Sequence, residues 1–217
     1  VVTAEVRWRL PLVLGDSYWA EAARVIRSFV QAPLAHGNCG RATDLADFNG
    51  EPKVGQSIFV GQPNPGDIYE ADSWRVIKNI AMDAHLMGAQ AWHKDAVNSL
   101  LYFFKNEGLN SGGICGNGYS QKYLQWGGNH GGSCGDNSNY THDAGQKATN
   151  AVAALASTNS SDAHDFVNAF WDAPWPTGQY RYYNGCLYML GMLHASGNFK
   201  LYTPNSTSPG QHSINAR

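Results

Sequence analysis

Residues 69–84 read YEADSWRVIKNIAMDA, and the spacing within them predicts a helix. At roughly 100° per residue, Trp74, Ile77, Ile80, Ala81 and Ala84 fall on one side, while Asp72, Arg75, Asn79 and Asp83 fall within about 80° of one another on a second side. One face is core and the other is a polar ridge. Such a ridge is either a solvated face with an i,i+3 Asp/Arg pair or the wall of a site. The rest of the chain has to decide between them.

The helical period recurs in both directions. Residues 17–31, SYWAEAARVIRSFVQ, start on Ser, carry i,i+3/i+4 apolar spacing and are expected to stop before Pro33. Residues 32–68 are rich in Gly, Pro, Asn and Asp and read as loop around one short apolar run, SIFV. Helices are expected over 71–88, ended by Gly88, and over 90–106. Ten glycines within residues 108–135 are too many for regular helix, and loops of that length in compact domains are functional or disordered. Two more helices are expected at 143–157 and 161–171, then a connection, DAPWPTGQ, and a final helix, RYYNGCLYMLGMLHAS, closed by Gly197. No period of 20–50 residues repeats. Successive helical hairpins with unequal loops argue for an all-α bundle or toroid, one domain over 1–204 followed by a polar tail over 205–217.

Composition narrows the partners. A chain of 217 residues buries a sizeable core. A net charge of −2 without any Lys/Arg run argues against nucleic acid and against an anionic membrane surface, and no segment is apolar for long enough to span a bilayer. The opening VVTAEVRWRL carries charges, lacks an initiator Met and does not read as a signal peptide, so a processed or truncated end is expected. Seven Trp, eleven Tyr and eight Phe against 15% charged residues suit a protein that stacks flat apolar faces on a ligand such as a sugar ring, although core accounts for most aromatics in most proteins. Cys115 and Cys134 bracket the Gly-rich loop and are the expected disulfide pair, with Cys39 and Cys186 elsewhere. Adding His130 and His142 matches no closed zinc spacing, so neither a metal nor another cofactor is expected. Sequons at Asn139, Asn159 and Asn205 fit an exported protein, secreted or periplasmic.

Three stretches together carry a resemblance: DSWRVIKNIAMD, ATNAVAALAST and FVNAFWDAPWPTGQYRYYNGCLYMLGMLHASGNFKLYTP, with a weaker one in TAEVRWRLPLVLGDSYW. They resemble glycoside hydrolase family eight, in the branch of xylan-acting enzymes that includes the reducing-end-xylose-releasing exo-oligoxylanases. The resemblance implies an (α/α) toroid whose groove binds β-1,4-linked sugars, and an inverting hydrolysis run by two carboxyl groups held about 6.5–9.5 Å apart. Asp72 falls on the general base and Arg75 on the Arg beside it; a neighbouring guanidinium favours the ionised state that a base requires. Tyr69, Tyr182 and Tyr183 fall among residues that line the groove, Trp126 and Trp175 are expected as rim platforms, and His194 as a core histidine. The polar ridge would then face a sugar groove.

The sequence also departs from that pattern. The family's general acid, a Glu within a Glu-Gly-x-x-Tyr-Gly motif, has no counterpart. Thr3 stands where a second family acid belongs, with Glu5 the nearest carboxylate, and a stretch between residues 60 and 69 is missing. Two readings follow: an inverting hydrolase of xylan, xylo-oligosaccharides or β-glucan, or a non-catalytic glycan-binding or assembly protein. In the second, a partner or another copy, as in a homo-oligomer, completes the toroid.

Overall fold

The structure is a computed structural model that describes residues 17–35, 41–51, 53, 68–69, 71–106, 123–124, 144–178 and 181–199. Among these residues are helices α1 (Ser17–Ala35), α2 (Trp74–Met87), α3 (Ala91–Asn106), α4 (Ala144–Ala154), α5 (Ser160–Trp171) and α6 (Arg181–Ala195). A 3-10 turn, Ala71–Ser73, leads into α2. The only regular pairing of strands among them is two residues long, β1 (Ile68–Tyr69) antiparallel to β2 (Tyr123–Leu124). No described helix is long and apolar enough to cross a membrane.

The apolar face read from the spacing is the core. Trp74, Ile77, Ile80, Ala81 and Ala84 are all buried, and the first four pack in one cluster with Val97, Leu100, Leu101 and Phe104 of α3. Gly88, at φ 97°, ends α2 where an L-side chain would be strained, and Gly197, at φ 72°, follows α6. Asn159 caps α5, its side-chain oxygen accepting from the Asp162 backbone N–H at 3.2 Å. One boundary differs from expectation: α1 continues through Pro33 to Ala35. Proline removes the N–H due to the carbonyl four residues back, and within the final turn that costs the helix little of its remaining ladder.

Three of the helices run the same way. At one end, the Arg75 guanidinium carbon of α2 lies 5.9 Å from the ring centre of Tyr183 in α6; towards the other, Lys78 and His85 act electrostatically on His194. A Cβ placed on Gly145 of α4 would meet Asn184 and Leu187 of α6, and one on Gly191 would meet Ala148. Thus α2, α4 and α6 point their N-termini to one end, with α4 packed against both of the others. Small residues make this approach possible: in AGQKATNAVAA every residue except Lys147 is buried. The return helices lie outside, α3 tied to α5 by Lys105 and Asp162 and to the preceding turn by Asn98, whose amide bonds Thr158 at 2.8 Å. Three parallel inner helices with return helices behind them are the expected all-α arrangement of toroid hairpins, an incomplete toroid among the described residues.

Helix α1 is clasped to this unit by charge. Arg27 donates two hydrogen bonds to Asp83, at 2.6 and 2.8 Å, and His93 Nε2 lies 2.9 Å from the same carboxylate. Cys186 is a half-buried free thiol. Cys39, Cys115, Cys134, His130, His142, Trp126, the SIFV run and the boundary at residue 204 lie outside the described residues.

Candidate active site

Asp72 sits in the 3-10 turn, two residues before α2 begins. From there a side chain in the first helical turn reaches back to it: Arg75 Nη2 lies 2.7 Å from Asp72 Oδ1, and Arg75 Nε donates to the Asp72 carbonyl at 3.4 Å. Both side chains are partly open to solvent, 45% and 38% exposed, so the pair adds little to stability. Its effect is geometric. One guanidinium holds both the backbone and one carboxylate oxygen of Asp72, and thereby fixes the direction of the other oxygen.

The surroundings come from other elements. Tyr183, in the first turn of α6, is half-buried against the Trp74 ring at 6.2 Å and a 50° tilt, beneath the Arg75 guanidinium. Its neighbour Tyr182 is 83% exposed, because adjacent residues on a helix diverge by about 100°. Trp175 is exposed on the connection from α5 to α6, at the same end as Asp72. Tyr69 is placed differently: its ring is fully buried, 6.0 Å from Phe104, in the core beneath this end. The short β1–β2 pairing brings residues 123–124 of the Gly-rich excursion beside Tyr69, a contact that two residues of sequence do not announce.

The polar ridge is divided. Asp72 and Arg75 stand at the open end, whereas Asp83 is buried, and the expectation that it faces a groove is corrected by its clasp to Arg27 and His93. Burial alone pushes the Asp83 carboxyl up, but hydrogen bonds from His93 and Arg27, with the Arg27 charge, hold it below the ordinary carboxylate range. The Gln90 backbone N–H donates to His93 Nδ1 at 2.9 Å, so the ring hydrogen is on Nε2, which donates to Asp83. His194 is a buried histidine, its ring 4.0 Å from that of Phe199. Burial first, then the charges of Lys78 and His85, lower its pKa to about 4.

Two groups were missed in reading the sequence. Trp74 passed for core alone and Asn184 went unnoticed, yet Trp74 Nε1 and Asn184 Oδ1 are buried without a hydrogen-bond partner among the described residues. Both lie in the first turns that meet at this end. Buried polar atoms left in that state are uncommon.

No family model matches the chain. It is 32% identical over 190 residues to the reducing end xylose-releasing exo-oligoxylanase of Halalkalibacterium halodurans, across 86% of this chain and 42% of that protein. With the corresponding enzyme of Paenibacillus barcinonensis it shares 29% identity over 190 residues, 86% of this chain and 43% of the relative. The chain thus spans less than half the length of the curated relatives it matches. Among solved structures, a cold-adapted family 8 xylanase superposes with a TM-score of 0.71 at 46% identity, covering 86% of this chain and 44% of the other. A reducing-end-xylose releasing exo-oligoxylanase superposes with a TM-score of 0.71 at 28% identity, covering 93% and 49%.

Proposed function

We propose that this chain, a partial homologue of family 8 xylanases and reducing-end xylose-releasing exo-oligoxylanases, acts in the inverting hydrolysis of β-1,4-linked xylan or xylo-oligosaccharides, with Asp72 as general base. The observation that carries this reading is the hold of Arg75 on Asp72 Oδ1 at 2.7 Å, at the end where three parallel helices begin. Inversion requires a carboxylate that takes a proton from the water attacking the anomeric carbon, and an acid across the ring that protonates the leaving oxygen. With Oδ1 held by Arg75, Oδ2 of the half-exposed carboxylate is the oxygen left for that water. Arg75 orients the base, and the ring faces of Tyr182, Tyr183 and Trp175 offer stacking surfaces for pyranose units. A β-1,4-glucan presents the same backbone geometry and is the second substrate to try.

A non-catalytic glycan-binding or assembly role is favoured by one observation, the lack of a Glu-Gly-x-x-Tyr-Gly stretch in the sequence. Without an acid partner the rate falls by about 10²–10⁴. Product release from xylohexaose and cellohexaose, followed by anomeric NMR on wild type and Asp72→Asn, separates the readings. Inverted product that disappears in Asp72→Asn is the expected result. Release that survives the substitution removes Asp72 from the mechanism, and binding without release from the wild type supports the non-catalytic role.

A further inference from the structure

We infer that Trp171 and Trp175 together form an outer platform for a polymeric β-1,4-linked glycan, extending the groove that begins at Asp72; the inference rests on the xylan-acting reading of that site. Trp171 is the last residue of α5 and is 68% exposed, and Trp175 is 78% exposed. Tryptophan is buried in most folds, and here two indoles within five residues of sequence are both open to a ligand.

The segment between them is held in place. The Asp172 N–H donates to the Asn168 carbonyl at 2.9 Å and the Ala173 N–H to the Phe170 carbonyl at 3.1 Å. Ala173 is buried, and Pro174 and Pro176 restrict the backbone on either side of Trp175. Both rings are therefore presented by a stiff support and lose little conformational freedom when a ligand docks.

Position and chemistry select the ligand. The connection joins the end of α5 to the start of α6 and so lies at the same end as Asp72 and Arg75. Four residues of backbone span at most roughly 14 Å, the reach of a short run of linked sugar rings. An indole offers a flat apolar face with one N–H donor at its edge, which matches a pyranose with an apolar C–H face and equatorial hydroxyls. The one charged side chain within this segment is acidic, Asp172, which disfavours phosphate-bearing chains.

Affinity electrophoresis through gels containing soluble xylan tests this, with circular dichroism melting to show that each variant is folded. Trp171→Ala is expected to weaken retardation by about tenfold, equal to about 1.4 kcal/mol, while Trp171→Tyr, which keeps a stacking face, retains most of it. Retardation unchanged in Trp171→Ala, or lost equally in Trp171→Tyr, overturns the platform and leaves the reading of Asp72 standing. A wild-type chain that xylan does not retard at all overturns the platform together with the xylan-acting reading on which it rests.

Discussion

Arg27 grips both carboxylate oxygens of Asp83, at 2.6 and 2.8 Å, across 56 residues of sequence. Asp83 lies on the helix that begins beside Asp72, about three turns further on, so this grip holds α2 against α1. Removing one partner of a buried pair leaves an uncompensated charge, and Arg27→Ala should cost about 3 kcal/mol. Urea denaturation of Arg27→Ala reads this directly. A loss below about 1 kcal/mol, the value of a surface pair, would show that the clasp does not bear on stability.

Acid should weaken the fold in two stages. His194 has its pKa lowered to about 4 from 6.5, so the unfolded chain binds more protons between those values. Its contribution is complete above pH 6.5 and is lost as pH falls towards 4, worth roughly 3 kcal/mol in all. Asp83, held below the ordinary 3.8, loses its contribution only as pH falls further, through its folded value. Melting temperatures between pH 7 and 4.5 should decline for the wild type and much less for His194→Gln, which stays neutral. Parallel profiles for the two proteins would exclude His194 as the cause.

Two glycines on one helix should respond to alanine in opposite directions. A Cβ at Gly185 meets nothing within 4 Å, whereas one at Gly191 comes within 2.8 Å of the Ala148 Cβ and 3.1 Å of the Phe170 ring. Gly185→Ala should stabilise by up to about 1 kcal/mol through helix propensity. Gly191→Ala should destabilise by about 1–3 kcal/mol, because α4 and α5 must yield. Thermal melts of the two variants decide this, and stabilisation by Gly191→Ala would mean that α4 is not seated so closely.

Arg75→Ala should separate activity from stability. The ion pair with Asp72 is half open to solvent, so the melting midpoint should move little. If Asp72 is the base proposed above, its carboxylate, no longer held in direction, should lose about 10²-fold in kcat on xylohexaose. A fall in melting temperature with unchanged kcat would assign Arg75 to the fold and not to the chemistry.

The helices and their buried sides were legible because amphipathic periodicity is local. Trp74, Ile77 and Ile80 lie within two turns, and their spacing alone placed them in the core. Gly88 and Gly197 were legible as helix ends for the same reason, since a positive φ is a property of one residue. The stretch from Asp72 to Arg75 was legible as a pair because i,i+3 side chains meet on any helix. Asp83 was not, because its partners Arg27 and His93 lie on other helices and are chosen by packing. Nor did periodicity decide that Tyr183 turns in to Trp74 and Arg75 while Tyr182 turns out, or that Trp171 remains open beside Trp175. By itself the sequence determined which segments are helical, which faces are apolar and which carboxylate has a guanidinium one turn away. The tertiary structure decided which polar groups are spent holding helices together and which are left at the open end, because that depends on the distances between elements that the chain brings together only when folded.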